Sequence, residues 1–105
     1  HRILRPGSTA ILTVPQMDPP ARTDEDASVL SEPERERRFG QKDHVRMYGD
    51  DFIERLRASG FCVEVVTAEN IQGGAVDRLC LEPPVISPSP LATNHRRIYF
   101  ARKTA

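Results

Sequence analysis

Short apolar segments alternate with polar, helix-like segments along this chain. A nearly continuous apolar run at residues 9–14, closed by Pro15, predicts a strand covered on both faces, as in a parallel sheet. Residues 61–67 are rich in β-branched side chains and predict a second strand, and residues 98–101 predict a third.

Two helices are predicted between these strands. Ser31 is a suitable N-cap residue, acidic side chains precede basic ones over residues 32–38, and Gly40 ends the segment. Asp51, followed by an acidic residue three positions later, forms a capping-box pattern, and Gly60 ends the second helix. Strands and helices in this order indicate an α/β fold.

Two segments lack any periodic pattern. Residues 16–31 have a loop-like composition, and their acidic part, residues 23–26, predicts a solvated turn because it lacks the spacing of a calcium loop. Residues 68–95 contain adjacent glycines and four prolines, and they predict a loop of about 28 residues, which is long for a compact domain.

Composition limits the classes of function. A chain of 105 residues is one small domain or a piece of a larger one, and 15 basic residues balance 15 acidic ones. This balance of charge argues against a strongly basic nucleic-acid binder. In addition, no apolar stretch approaches the roughly 20 residues that are needed to span a bilayer. The N-terminus has neither a starting Met nor a signal-peptide core, so we expect that it is not an intact signal peptide and that the chain begins partway along a longer sequence.

The two cysteines do not form a disulfide framework, which favours the reducing cytoplasm. Cys62 is predicted to be a buried free thiol on its strand, whereas Cys80 lies in the long loop and is not placed. The histidines and cysteines also lack metal-ligand spacing, so we expect no zinc site.

Four segments resemble parts of class I S-adenosylmethionine-dependent methyltransferases. Residues 2–15, RILRPGSTAILTVP, resemble the R-x-L-K-P-G-G turn and fifth strand of that superfamily. Residues 39–49, FGQKDHVRMYG, resemble the F-G-Q-x-D-H-V-R-x-Y-G segment of one of its bacterial branches. Residues 51–63 and 98–103 resemble the helix, the next strand and the closing strand that follow there.

The resemblance implies a partial Rossmann-like sheet of about three strands with two helices. The final strand would lie antiparallel between the other two. Residues 1–105 would then be the C-terminal part of a methyltransferase-like domain, without the N-terminal cofactor-binding half, because no G-x-G turn and no earlier strand precede Ile11. S-adenosylmethionine would be the cofactor of the parent protein, and none is expected for this chain alone.

The segment from Gln41 to Tyr48 supplies the candidate site residues. His44 is a candidate catalytic base toward a small-molecule acceptor, and Gln41, Asp43, Arg46 and Tyr48 would bind that acceptor. The same residues could instead tether a loop to a helix through hydrogen bonds and ion pairs, with Tyr48 packed at a junction between elements.

Three functions remain open from the sequence. The first is the acceptor-side part of a methyltransferase, inactive alone. The second is a free-standing truncated domain that dimerises through the bare strand edge at residues 10–14, or that pairs with a separate cofactor-binding subunit. The third is weak phosphate or RNA binding by Arg96, Arg97, Arg102 and Lys103, for which a solvated strand end is the better interpretation.

Overall fold

The computed structural model describes residues 1–18, 21–71, 74–78, 82–83 and 85–104. Its strands are β1 (Thr9–Leu12), β2 (Asp24–Glu25), β3 (Arg46–Met47), β4 (Phe61–Val66) and β5 (Ile98–Lys103). Its helices are α1 (Glu32–Phe39), α2 (Phe52–Ala58) and α3 (Ala75–Arg78), with a 3₁₀ turn at Ala68–Asn70. None of these helices is long and apolar enough to cross a membrane.

The chain forms two compact units. The first comprises His1–Thr13, Ile53–Ile86 and Asn94–Ala105, and the second comprises Val14–Phe52 and Ser87–Thr93.

A three-stranded sheet forms the first unit, with the strand order β1-β5-β4. β5 is antiparallel to both neighbours, as the resemblance implied for the final strand. The α/β class is therefore confirmed in its coarse form. A parallel, Rossmann-like arrangement is not present among the described residues, since every pair of adjacent strands is antiparallel.

The two faces of this sheet differ in burial. Tyr99 and Ala101 on β5 are buried, with exposed fractions of 1% and 0%. On the opposite face Ile11 is 66% exposed and Cys62 is exposed. The prediction that residues 9–14 are covered on both faces is therefore wrong, and so is the predicted burial of Cys62. Strand residues alternate between faces, so Ile11 and Cys62 lie on the face opposite the buried Tyr99 and Ala101.

The two predicted helices are confirmed to within a residue or two. α1 follows Ser31 and ends at Gly40, whose φ of 86° is the left-handed conformation that glycine adopts at helix ends. The Ser31 hydroxyl donates to the Glu34 carboxylate (2.7 Å). α2 is followed by Gly60, which also has a positive φ, of 91°.

The segment predicted as a long loop contains two short helical turns. Thr67 and Asn70 form a reciprocal capping box around the 3₁₀ turn, and α3 follows. Residues 85–95 contain neither helix nor strand. Cys80 lies outside the described residues.

The second unit contains a ladder that the sequence did not predict. β2 pairs antiparallel with β3, with Asp24 opposite Met47 and Glu25 opposite Arg46. Each strand has two residues, so neither carries the alternating pattern from which strands are recognised. The core of this unit includes Phe39 and Met47, which are 0% and 4% exposed.

Candidate functional site

A cavity of about 400 Å³ that is largely open to solvent lies in the second unit. Its lining residues are Pro15, Asp43, His44, Val45, Arg46 and Tyr48. Four of the five predicted site residues are thus brought together. Gln41 is exposed and does not line the cavity.

Backbone hydrogen bonds hold the walls of this cavity. The His44 N–H donates to the Gln41 carbonyl (3.1 Å), which closes a turn directly after α1. Tyr48 then forms a parallel bridge with Gln16: its N–H donates to the Pro15 carbonyl (2.9 Å), and its carbonyl accepts from the Met17 N–H (2.8 Å). These bonds place Pro15 beside Tyr48.

The protonation of the His44 ring follows from its hydrogen bond. Nδ1 lies 2.9 Å from the carbonyl oxygen of Phe39. A carbonyl can only accept, so Nδ1 carries the hydrogen, and in the neutral ring the lone pair is on Nε2. This hydrogen bond is the predicted tether between the loop and the end of α1. It also fixes the tautomer that a general base at Nε2 requires.

Arg46 and Tyr48 lie together on another wall. The guanidinium carbon of Arg46 is 5.7 Å from the centre of the Tyr48 ring, and its Nη1 is 3.2 Å from a carboxylate oxygen of Glu25. Arg46 Nε is buried and has no hydrogen-bond partner among the described residues. Tyr48 also packs against Phe52, with ring centroids 4.6 Å apart, as the packing interpretation predicted.

Two residues that sequence reasoning did not assign to this site, Gln16 and Thr23, support it through hydrogen bonds. Gln16, only 2% exposed, donates from Nε2 to the Gly49 carbonyl (3.2 Å). The Gly49 N–H donates to the Thr23 hydroxyl (3.1 Å), and this hydroxyl donates to Asp51 (2.8 Å). Asp51 was predicted only as a helix cap. No pattern identifies Gln16 and Thr23, because their partners are distant in the sequence.

The acidic turn is bound to an arginine. Arg38 donates two hydrogen bonds to Asp24 (2.8 and 3.1 Å) and one to Asp26 (2.7 Å). These bonds lower the pKa of Asp24, while the Ser28 hydroxyl and N–H, together with Arg38, lower the pKa of Asp26 to about 2. The two carboxylates in turn raise the pKa of Arg38. The turn is therefore an ion-pair cluster rather than simply solvated.

This cluster predicts a dependence of stability on pH. The ordinary pKa of both carboxyls is 3.8, and folding lowers it, so the cluster stabilises the fold fully above about pH 4 and progressively less as pH falls toward 2. We expect Arg38→Gln to lower the urea midpoint at about pH 6. Near pH 2 the midpoints of the variant and the wild type should be almost equal. Because the side chains are more than a third exposed, the effect should be modest.

The control for this measurement is Arg37→Gln, which removes an exposed arginine from the same turn of α1. Its urea midpoint should follow the wild-type curve at every pH. A constant difference between Arg38→Gln and wild type down to pH 2 would contradict the assignment.

No group of His, Cys, Asp and Glu in the described part of the chain is arranged to hold a metal ion. The chain was compared with models of known protein families, with curated proteins and with solved structures, and none of the three comparisons gave a match.

Proposed function

We propose that the chain is the acceptor-side part of an S-adenosylmethionine-dependent methyltransferase, and that the cavity holds the methyl acceptor. One observation carries the proposal. Asp43, His44, Arg46 and Tyr48, all from the segment that resembles the methyltransferase motif, line the same cavity. The β1-β5-β4 order with an antiparallel central strand also supports it, because the resemblance implied this arrangement.

In this proposal the cofactor site lies in another part of the parent protein, because the sequence of this chain contains no G-x-G turn. Cofactor-binding turns of this superfamily need closely spaced glycines so that the backbone can approach the ligand. The positive-φ glycines of the described residues, Gly7, Gly40 and Gly60, instead stand singly at turns. When bound elsewhere in the parent protein, S-adenosylmethionine supplies an electrophilic methyl group.

The role of this chain is to bind the acceptor and to take its proton. The lone pair of His44 Nε2 can accept the proton of an acceptor hydroxyl or amine as the new bond forms. The Phe39 carbonyl holds the ring in this tautomer. Asp43 and Arg46, on either side of His44 in the sequence, provide opposite charges that orient the acceptor.

Binding of S-adenosylhomocysteine tests this proposal. We would titrate it by calorimetry into the 105-residue chain and into a polypeptide extended upstream through the next strands of the parent gene. The proposal predicts no binding to the chain alone and micromolar binding to the extended polypeptide. An extended polypeptide that is folded but does not bind this ligand would contradict the proposal.

A second function, pairing of subunits, is favoured by the free edge of β1. This strand pairs only with β5 in the described sheet, and Ile11 on it is 66% exposed. Unpaired edges recruit other strands.

We expect sedimentation equilibrium at millimolar concentration to show a dimer that Ile11→Lys abolishes. Ile3→Lys, at an 84% exposed residue outside the sheet, is the matched control and should leave the dimer intact. A wild-type protein that remains monomeric would contradict this function.

The basic residues near the end of the chain give weaker support for phosphate or RNA binding. The Lys103 ammonium donates a hydrogen bond to the Leu4 carbonyl (2.8 Å), so part of its charge is already used within the first unit. Arg102 is exposed and lies opposite Cys62 in the sheet. We do not propose this function.

A further inference from the structure

We propose that the cavity recognises a singly charged carboxylate attached to an apolar body, and that Arg46 binds the carboxylate. The inference rests on the proposed function in taking the cavity as the acceptor site. It adds the chemical class of the acceptor, which the sequence does not name.

Two arginines of the second unit differ in how completely they are paired. Arg38 uses three of its N–H groups on two carboxylates, at 2.7 to 3.1 Å. Among the residues that the structure describes, the Arg46 guanidinium has one ion pair, with Glu25 at 3.2 Å, which is longer than the roughly 2.7–2.9 Å of a strong charge-assisted hydrogen bond. Its Nε has no partner in the described residues.

An incompletely paired guanidinium favours an incoming carboxylate. A buried N–H without a partner is unfavourable, so a small rotation that presents Nε and the neighbouring Nη to a ligand is compensated by two new hydrogen bonds. The Arg46 side chain is 37% exposed and can make this rotation. The guanidinium carbon lies 5.7 Å from the centre of the Tyr48 ring, and this cation–π contact holds the guanidinium beside the cavity.

The other walls define the rest of the ligand. Pro15 and Val45 are apolar, and Val45 is 50% exposed, so an apolar body beside the carboxylate would cover surface that now faces solvent. Asp43 lines the cavity and Glu25 contacts Arg46. These two carboxylates would repel a doubly charged phosphate more strongly than a single carboxylate.

The test uses benzoate, benzamide and phenyl phosphate as probes on the 105-residue chain, followed by amide-resolved NMR. Benzoate should shift the amides of residues 43–48 with a dissociation constant in the millimolar range. Benzamide has the same shape without the charge and should bind about tenfold more weakly, as expected when a charge-assisted pair is replaced by a neutral one. Equal binding of the two, or tighter binding of phenyl phosphate, would overturn the inference.

Variants locate the binding charge. Arg46→Gln should abolish the preference for benzoate over benzamide, and Arg46→Lys should keep part of it, because lysine retains the charge but not the planar fork. Arg37→Gln on α1 should behave like wild type. A preference that survives in a folded Arg46→Gln protein would overturn the inference. If Arg46→Gln fails to fold, the comparison of probes on the wild type still decides it. None of these results depends on S-adenosylhomocysteine, so the proposed function is tested separately.

Discussion

Replacement of Gly49 by alanine is expected to unfold the second unit. A Cβ at this position would lie 2.5 Å from the carbonyl carbon of Arg22 and against the backbone of Ala21. The Asp50 N–H donates to the Ala21 carbonyl (2.8 Å), so this segment is fixed where the methyl group would be. Overpacking costs about 1–3 kcal/mol where neighbours can move, and a collision with backbone should exceed that range.

The effect should appear as loss of dispersed amide signals from residues 14–52 and as a lower urea midpoint. Gly74→Ala is the matched control, because nothing lies within 4 Å of a Cβ at that position and its φ is not positive. That variant should keep the wild-type midpoint. A Gly49→Ala protein with the wild-type urea midpoint would show that the backbone of residues 21–22 does not lie this close to Gly49.

Replacement of His44 by asparagine is expected to reduce methyl transfer by about 10²- to 10⁴-fold, the usual contribution of a general base. The assay requires the parent polypeptide that binds S-adenosylmethionine. The asparagine amide can donate to the Phe39 carbonyl, as Nδ1 does, but it cannot accept a proton. The urea midpoint should therefore remain near wild type while kcat falls and KM changes little.

This variant separates the two interpretations of His44. If the ring served only as a tether, asparagine would preserve both stability and kcat, and alanine would reduce stability alone. A wild-type kcat in His44→Asn would therefore contradict the role as base. His44→Gln complements His44→Asn. The glutamine amide lies farther from the backbone than the asparagine amide, so it does not reproduce the hydrogen bond to the Phe39 carbonyl in the same way.

The elements that could be predicted from the sequence are those with local signals. α1 and α2 have glycine stops and charges ordered along the helix, and β4 has a run of β-branched residues. These signals act within one element, so their positions emerged correctly. The antiparallel central position of β5 depended on the resemblance, because no local pattern sets strand order.

The features that escaped prediction are set by contacts between distant segments. β2 and β3 have two residues each and exist because their segments meet. Gln16 is buried for the same reason, since its bridge to Tyr48 is formed by chain folding rather than by any local preference. The exposure of the outer face of β1 was also not predicted. An apolar run indicates that both faces of a strand can be covered, but it does not show that another element packs on each face.

The candidate site was predicted as a contiguous motif, but its internal chemistry was not. The sequence placed Asp43, His44, Arg46 and Tyr48 together with Gln41, and the structure brings the first four around one cavity. It could not indicate which histidine nitrogen carries the hydrogen. It also could not distinguish Arg38, which is paired with two carboxylates, from Arg46, which is paired with one, because both have acidic residues nearby in the sequence.

The most direct test of the account is transfer of a labelled methyl group from S-adenosylmethionine by the parent polypeptide. The acceptors would be a cleared extract of small molecules, fractionated into anionic and neutral pools. The account predicts label in the anionic pool, at a rate that Arg46→Gln and His44→Asn reduce and Arg37→Gln does not. Label confined to the neutral pool would contradict the carboxylate assignment. A folded polypeptide that binds S-adenosylhomocysteine but transfers label at the same rate in all these variants would contradict the central claim that this cavity is the acceptor site.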